Sequence, residues 1–101
     1  MDLYTRFLAF EIVINVTNNN DYIKLLQRFK ELRLSSVKYL AKQTFTSLHM
    51  NAGMLSIPFG ELCIEFQLSK GFTIGDKNGY LKWGCEICSV EEFLQATEYE
   101  E

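Results

Sequence analysis

Three cysteines and one histidine are the residues of this chain best suited to hold a metal ion or to perform nucleophilic chemistry. Cys85 and Cys88 have the two-residue spacing of a zinc knuckle or a redox pair, and Cys63 and His49 could complete a Cys₃His zinc site. However, the sequence has no second closely spaced pair of ligands, and strand alternation would direct Cys85 and Cys88 to opposite faces of a sheet. We therefore predict structural, unpaired cysteines, no metal site and no cofactor.

His49 is the one histidine, so any histidine-dependent general base or catalytic triad would have to use it. On a helix it shares the polar side with Lys38 and Lys42, which predicts a solvent-exposed histidine. Glu61 and Glu65 could supply a carboxylate pair for hydrolysis, but solvent-facing charges on a half-buried strand have the same spacing. The glycines are spaced for turns and not for a phosphate-binding loop. The sequence therefore predicts a protein with no catalytic residues.

The charged residues are unevenly divided along the chain. Residues 1–50 carry seven basic and four acidic side chains, whereas residues 51–101 carry three basic and nine acidic ones. Charge affects encounter with partners more than it affects the fold, so this division indicates charged binding surfaces.

Two candidate surfaces follow from this division. The first, which we name the basic face, could hold the phosphates of a nucleic acid or an acidic partner. It comprises Lys24, Arg28, Arg33, Lys38 and Lys42. The second, the acidic face, could meet a basic partner protein that itself handles nucleic acid. It comprises Glu91, Glu92, Glu98, Glu100 and Glu101.

Apolar periodicity predicts the elements that would position these residues. Alternation of apolar and polar side chains predicts strands over 7–16 and 62–68, and apolar residues at helical spacing predict a helix over 21–33. Residues 36–48 fit a helix better than a strand, because the helical apolar stripe is the longer of the two patterns. Residues 54–59 form a short candidate strand, in which the one proline indicates an edge or a strand end.

The last third of the chain has the pattern of a hairpin followed by a short helix. Residues 71–74 and 80–87 flank a loop over 75–79 that contains Asn-Gly, which predicts a β-hairpin. Ser89 and Glu92 match a capping box, which predicts a helix start. The residues expected to be buried together in the core are Ile12, Ile14, Leu25, Phe29, Ile64, Phe66 and Trp83.

These elements predict one α+β domain over residues 1–101. We expect a two-layer sandwich in which an N-terminal strand and helices pack on a mainly antiparallel sheet, with a short C-terminal helix. The chain has no basic leader before its first apolar run and no apolar stretch of about 20 residues, which favours a cytoplasmic protein that does not enter a membrane.

The expected function is binding without chemistry. We expect a small protein that binds another protein and modulates it, by inhibition. Short proteins of this composition are often accessory factors of viruses or mobile elements, which is a general expectation and not a property of these residues. The alternative is a nucleic-acid-binding protein that uses the basic face, whose affinity would fall steeply as the salt concentration rises.

Overall fold

The computed structural model describes residues 2–50 and 57–98. In chain order the elements are α1 (Leu3–Leu8), β1 (Ile12–Asn15), α2 (Asn19–Glu31), α3 (Val37–Ala41), α4 (Phe45–Met50), β2 (Leu62–Gln67), β3 (Gly71–Asp76), α5 (Lys77–Lys82), β4 (Glu86–Ser89) and α6 (Val90–Ala96).

The four strands in these ranges form one mixed sheet in the order β3-β2-β1-β4. β1 pairs antiparallel with β2, where Ile14 lies opposite Ile64, and parallel with β4, where Ile14 lies beside Cys88. β2 and β3 pair antiparallel, with Phe66 opposite Phe72. Because the sheet is mainly antiparallel and carries packed helices, the predicted α+β sandwich is confirmed.

The chain begins with a helix where the first half of a strand was predicted. The backbone amide of Thr5 donates to Asp2 Oδ1 at 2.7 Å, so Asp2 caps α1, and Phe7 lies fully buried on its inner side. The strand predicted over 7–16 is therefore limited to β1. The apolar residues at 7–10 fit either periodicity, and the capping aspartate with its following turn favours the helix.

The two middle helical predictions have different outcomes. α2 confirms the helix predicted over 21–33, and it begins earlier because Asn18 Oδ1 accepts from the backbone amide of Asp21 at 2.8 Å. The helix predicted over 36–48 is instead two short helices, α3 and α4. In the candidate strand over 54–59, residues 57–59 are not in a strand, and the others lie outside the described residues.

The hairpin predicted over 71–87 is wrong. Asp76 Oδ1 accepts from the backbone amide of Gly79 at 3.0 Å, so the expected loop is the capped start of α5. β3 pairs with β2, and β4 pairs with β1. The Asp-Lys-Asn-Gly sequence suits a helix start as well as a turn, because an aspartate can accept from the free amides of a first turn. The capping box of Ser89 and Glu92 is confirmed at α6.

The main core lies between the sheet and five of the helices, with α5 the exception. Aromatic rings are central to it: the Phe29 ring centroid lies 5.9 Å from that of Phe7, 4.6 Å from Phe72 and 5.6 Å from Phe93. Of the residues expected in the core, all are buried except Trp83, which is 80% exposed. The placement of Trp83 was wrong because it follows a helix and does not belong to a strand.

The opposite face of the sheet is only partly covered. α5 packs there, and its Tyr80 joins Val13 and Cys63 in a second, small cluster that Cys85 and Ile87 border. We refer to this side as the open face, because α5 is the one described helix that lies on it. A pocket can form where a short helix covers only part of a sheet face.

Candidate functional site

A pocket of about 390 Å³ lies between α5 and the open face of the sheet. We name it the open-face pocket. The side chains that define it come from the N-terminal segment, from β2 and the turn after it, and from α5 and its end. They are Phe10, Glu65, Gln67, Lys70, Asp76, Tyr80 and Trp83. The pocket therefore combines aromatic surface with a few polar and charged groups, which is typical of a ligand-binding cleft.

Glu65 is a buried carboxylate in this pocket, with 7% of its surface exposed. Strand alternation in β2 places it on the open face between Cys63 and Gln67, and Gln67 Nε2 donates to Glu65 Oε2 at 3.2 Å. No lysine or arginine within residues 2–50 and 57–98 forms an ion pair with it. The prediction that Glu61 and Glu65 both face solvent is wrong for Glu65, because α5 covers that part of the sheet.

Glu61 does not share the neighbours of Glu65. Glu61 precedes β2, and its Oε1 accepts from Asn78 Nδ2 at 3.2 Å. Glu61 does not line the open-face pocket, whereas Glu65 does. The structure thus assigns the two carboxylates to different surroundings.

Tyr80 is the second polar group at the buried end of the pocket. Its ring lies against β3, where Gly75 makes room: a Cβ at Gly75 would come within 3.0 Å of the Tyr80 ring. Burial raises the pKa of Tyr80, and the charge of Glu65 and the hydrogen bond between the two side chains raise it further. The phenol therefore stays protonated at neutral pH and donates to the carboxylate.

Trp83 lies at the mouth of the pocket and is 80% exposed. Its backbone amide donates to the carbonyls of Gly79 and Tyr80, so it ends α5 without burying its indole. Gly84 follows with φ of 84°, a conformation that glycine adopts without strain, and it turns the chain towards β4. Leu81, on the same helix, is 51% exposed. Tryptophan is one of the residue types enriched at the hot spots of protein interfaces.

Phe10 forms another wall of the pocket and has φ of 62°. Bulky side chains rarely adopt this left-handed conformation, but it is common at the residue that follows the C-cap of a helix. Phe10 joins α1 to β1: its backbone amide donates to the Phe7 carbonyl at 3.2 Å, and the Glu11 amide donates to the Arg6 carbonyl at 2.9 Å. The end of α1 therefore accounts for the backbone conformation of Phe10.

His49 is buried, which corrects the prediction of a surface histidine. It is 2% exposed, and its ring centroid lies 4.5 Å from that of Phe45 and 4.4 Å from that of Phe59. Its Nδ1 lies 2.8 Å from the carbonyl oxygen of Phe45, and its Nε2 has no partner in the described parts of the chain. The break between α3 and α4 turns His49 away from the side of Lys38 and Lys42. It belongs to the helical layer, on the other side of the sheet from the open-face pocket.

The three cysteines are free thiols. Cys85 borders the open-face cluster whereas Cys88 lies in the main core, so the predicted separation of the pair to opposite faces is confirmed. Burial raises the pKa of Cys63 and of Cys88 to about 12. The described residues contain no group of three or more histidine, cysteine, aspartate or glutamate side chains placed to hold a metal ion.

The basic face is divided by the structure. Arg28, predicted to be exposed, is half-buried: its Nη1 donates to the carbonyl of Leu94 and to Thr97 Oγ1, both at 2.7 Å. Its guanidinium therefore binds the C-terminal end of α6, where the helix dipole favours a cation. Lys24 is exposed on α2. The other exposed members are Arg33, Lys38 and Lys42.

The acidic face is described only in part. Glu91 and Glu92 are exposed in the first turn of α6, and Glu92 Oε1 accepts from the backbone amide of Ser89 at 3.0 Å. Glu98 is exposed just after the helix. Glu100 and Glu101 lie outside the described residues. A partner-binding role for this face stays a prediction.

Comparisons with protein-family models, with characterised proteins and with solved structures found no match for this chain. The described part of the chain contains no helix long and apolar enough to cross a membrane.

Proposed function

We propose that this chain is a non-catalytic binding protein that docks on a partner protein through the open face and modulates that partner by occupying its surface. The observation that carries the proposal is the exposed Trp83 indole at the mouth of a pocket whose buried end holds the Glu65 carboxylate. Aromatic anchors beside desolvated polar groups dominate the energetics of protein interfaces.

The chemistry of the pocket supports binding over catalysis. A general base or nucleophile that works near neutral pH needs a pKa close to that pH. Burial and the charge of Glu65 raise the pKa of Tyr80, which moves the phenol away from that range. Glu65 accepts a hydrogen bond from Gln67 at 3.2 Å, which holds the carboxylate in place. A carboxylate held in one position is suited to bind one particular group of a partner.

The open face has stronger support than the basic face as the primary interface. Arg28, which the nucleic-acid alternative requires as an exposed cation, uses its guanidinium within its own chain. Lys24, Lys38 and Lys42 remain exposed, with Lys24 on α2, Lys38 on α3 and Lys42 at the C-terminal end of α3. Free thiols at all three cysteines support a reducing compartment such as the cytoplasm.

Parallel affinity capture tests this proposal. Wild-type protein, Trp83→Ala and Tyr39→Ala are immobilised at equal density, and the proteins that each retains are quantified by mass spectrometry. Tyr39 is a matched control because it is an aromatic residue, 53% exposed, on α3 in the helical layer. We expect a partner that wild type and Tyr39→Ala retain and that Trp83→Ala loses. Identical retention by all three proteins would refute docking through the open face.

A further inference from the structure

The open-face pocket has the charge and the lining that a cationic side chain requires. We propose that it receives the side chain of a lysine or arginine from the partner protein, an inference that rests on the docking surface proposed above. The juxtaposition that supports it is a buried carboxylate without an ion-pair partner among the described residues, in a pocket that three aromatic residues help to line.

The charges around the pocket favour a cation. Two carboxylates, Glu65 and Asp76, and one ammonium, Lys70, line it. Asp76 caps α5 through its bond to Gly79, so Glu65 is the carboxylate that remains for a ligand. A buried carboxylate that has lost its hydration is stabilised strongly by an opposite charge, because the surrounding dielectric constant is low.

The hydrogen-bonding capacity of Glu65 is not exhausted. An ionised carboxylate offers about four acceptor positions. Gln67 uses one of them, which leaves acceptor positions for further donors. A lysine ammonium or an arginine guanidinium can supply these donors and a full positive charge.

The aromatic lining suits the same ligand. Phe10, Tyr80 and Trp83 present ring surface to the pocket, and the face of an aromatic ring attracts a cation. The aliphatic stem of lysine or arginine can pack along the exposed indole of Trp83 while its charged end reaches Glu65. A pocket of about 390 Å³ is large enough for one such side chain.

Other classes of ligand fit less well. The net negative lining repels an anion. A neutral apolar side chain would bury Glu65 further without compensating its charge. A calcium ion needs six to eight oxygen ligands, whereas the described residues hold no cluster of three or more acidic, histidine or cysteine side chains placed around one point. A cationic side chain is therefore the ligand that the geometry points to.

Titration with small probes tests the inference, and the single tryptophan of the chain makes Trp83 a built-in reporter. The probes are the N-acetyl methylamides of lysine, arginine and norleucine, of which norleucine is the neutral control. We expect saturable shifts of the Trp83 indole resonance with one or both cationic probes and about tenfold weaker binding of norleucine. Comparison of the lysine titration with the arginine titration shows which of the two cations the pocket binds more tightly.

Three variants separate a specific site from general attraction. Glu65→Gln keeps the shape of the side chain and removes its charge, so we expect about tenfold weaker binding of the cationic probe. Glu91→Gln is the control, because it removes one negative charge from the exposed first turn of α6. Lys70→Ala removes the competing cation at the pocket and should strengthen binding. Thermal unfolding checks that each variant is folded.

The results also distinguish this inference from the proposed function. Equal binding of norleucine and the cationic probes, or equal loss in Glu65→Gln and Glu91→Gln, would overturn the cation-binding inference. Loss of a partner in Trp83→Ala would still support docking in that case. The converse pair of results would support cation binding by the pocket and refute docking through the open face. These results are Glu65-dependent binding of a cationic probe and retention of the partner by Trp83→Ala.

Discussion

Arg28→Ala offers a sharp test of the structure, because it separates a structural arginine from a surface cation. Arg28 and Lys24 lie one turn apart on α2, and both belong to the predicted basic face. In the structure, the Arg28 guanidinium donates to the Leu94 carbonyl and to Thr97 Oγ1, whereas Lys24 is exposed. The substitution would leave the end of α6 without its cation and would remove the link between two helices.

The expected magnitude follows from these contacts. Hydrogen bonds from a charged group contribute about 1.5–3 kcal/mol each when they are buried. The Arg28 side chain is 19% exposed and also lies 3.6 Å from a Glu31 oxygen, so solvent screens part of this energy. We therefore expect Arg28→Ala to lower the free energy of unfolding by about 2–3 kcal/mol in total. Lys24→Ala should change it by about 0.5 kcal/mol or less.

Urea unfolding followed by far-UV circular dichroism measures both values. Tryptophan fluorescence is a poor reporter here, because Trp83 is already exposed in the folded protein. Arg28→Lys should recover only part of the loss, because an ammonium does not reproduce the geometry of the guanidinium. If Arg28→Ala and Lys24→Ala prove equally mild, Arg28 is a free surface cation and the packing of α6 described above is wrong.

Three further predictions concern the core and the thiols. Phe29→Ala should cost about 3–5 kcal/mol of unfolding free energy, because Phe29 is fully buried. Phe59→Ala, at a residue 70% exposed, should cost about 1 kcal/mol or less, and similar urea midpoints for the two variants would contradict this. A thiol reagent should modify the partly exposed Cys85 at least about tenfold faster than the buried Cys63 or Cys88, as followed by mass spectrometry. Because burial raises the pKa of Cys63 and of Cys88 above 9.0, their contribution to stability is complete below about pH 9 and decreases as the pH rises towards 12. The urea midpoint should therefore be lower at about pH 10.5 than at about pH 8, and an unchanged midpoint would count against the burial of both thiols.

The elements that the sequence predicted well carry long and regular patterns. α2 has apolar residues at helical spacing over several turns, and β2 alternates along its whole length. In both elements the apolar positions of the pattern lie in the main core, so local spacing was sufficient to place them, although β2 is also covered on its other face. The capping box at Ser89 and Glu92 was predictable for a similar reason, because it consists of reciprocal contacts between residues close in sequence.

The failed predictions depended on contacts between distant parts of the chain. The sequence of residues 75–79 is compatible with a hairpin loop. In the structure, however, β3 pairs with β2 and not with the segment that follows it, and Asp76 caps the start of α5. The placement of α5 on the open face then buries Glu65 and exposes Trp83. One feature of the sequence did indicate that the Glu65 side of β2 is covered. Cys63, an apolar residue, lies on the same side of the strand as Glu65. The pocket itself joins three separate regions, and no local pattern specifies such a site.

The most direct test of docking through the open face is the kinetics of binding between this protein and the partner it captures. Surface plasmon resonance compares wild type with Trp83→Ala and with a variant in which Lys24, Lys38 and Lys42 are reversed to glutamate. We predict that Trp83→Ala raises the dissociation rate by about tenfold or more, while its association rate stays within about threefold of wild type. Unchanged kinetics in Trp83→Ala, with binding abolished by the lysine reversals, would contradict the account and favour the basic face.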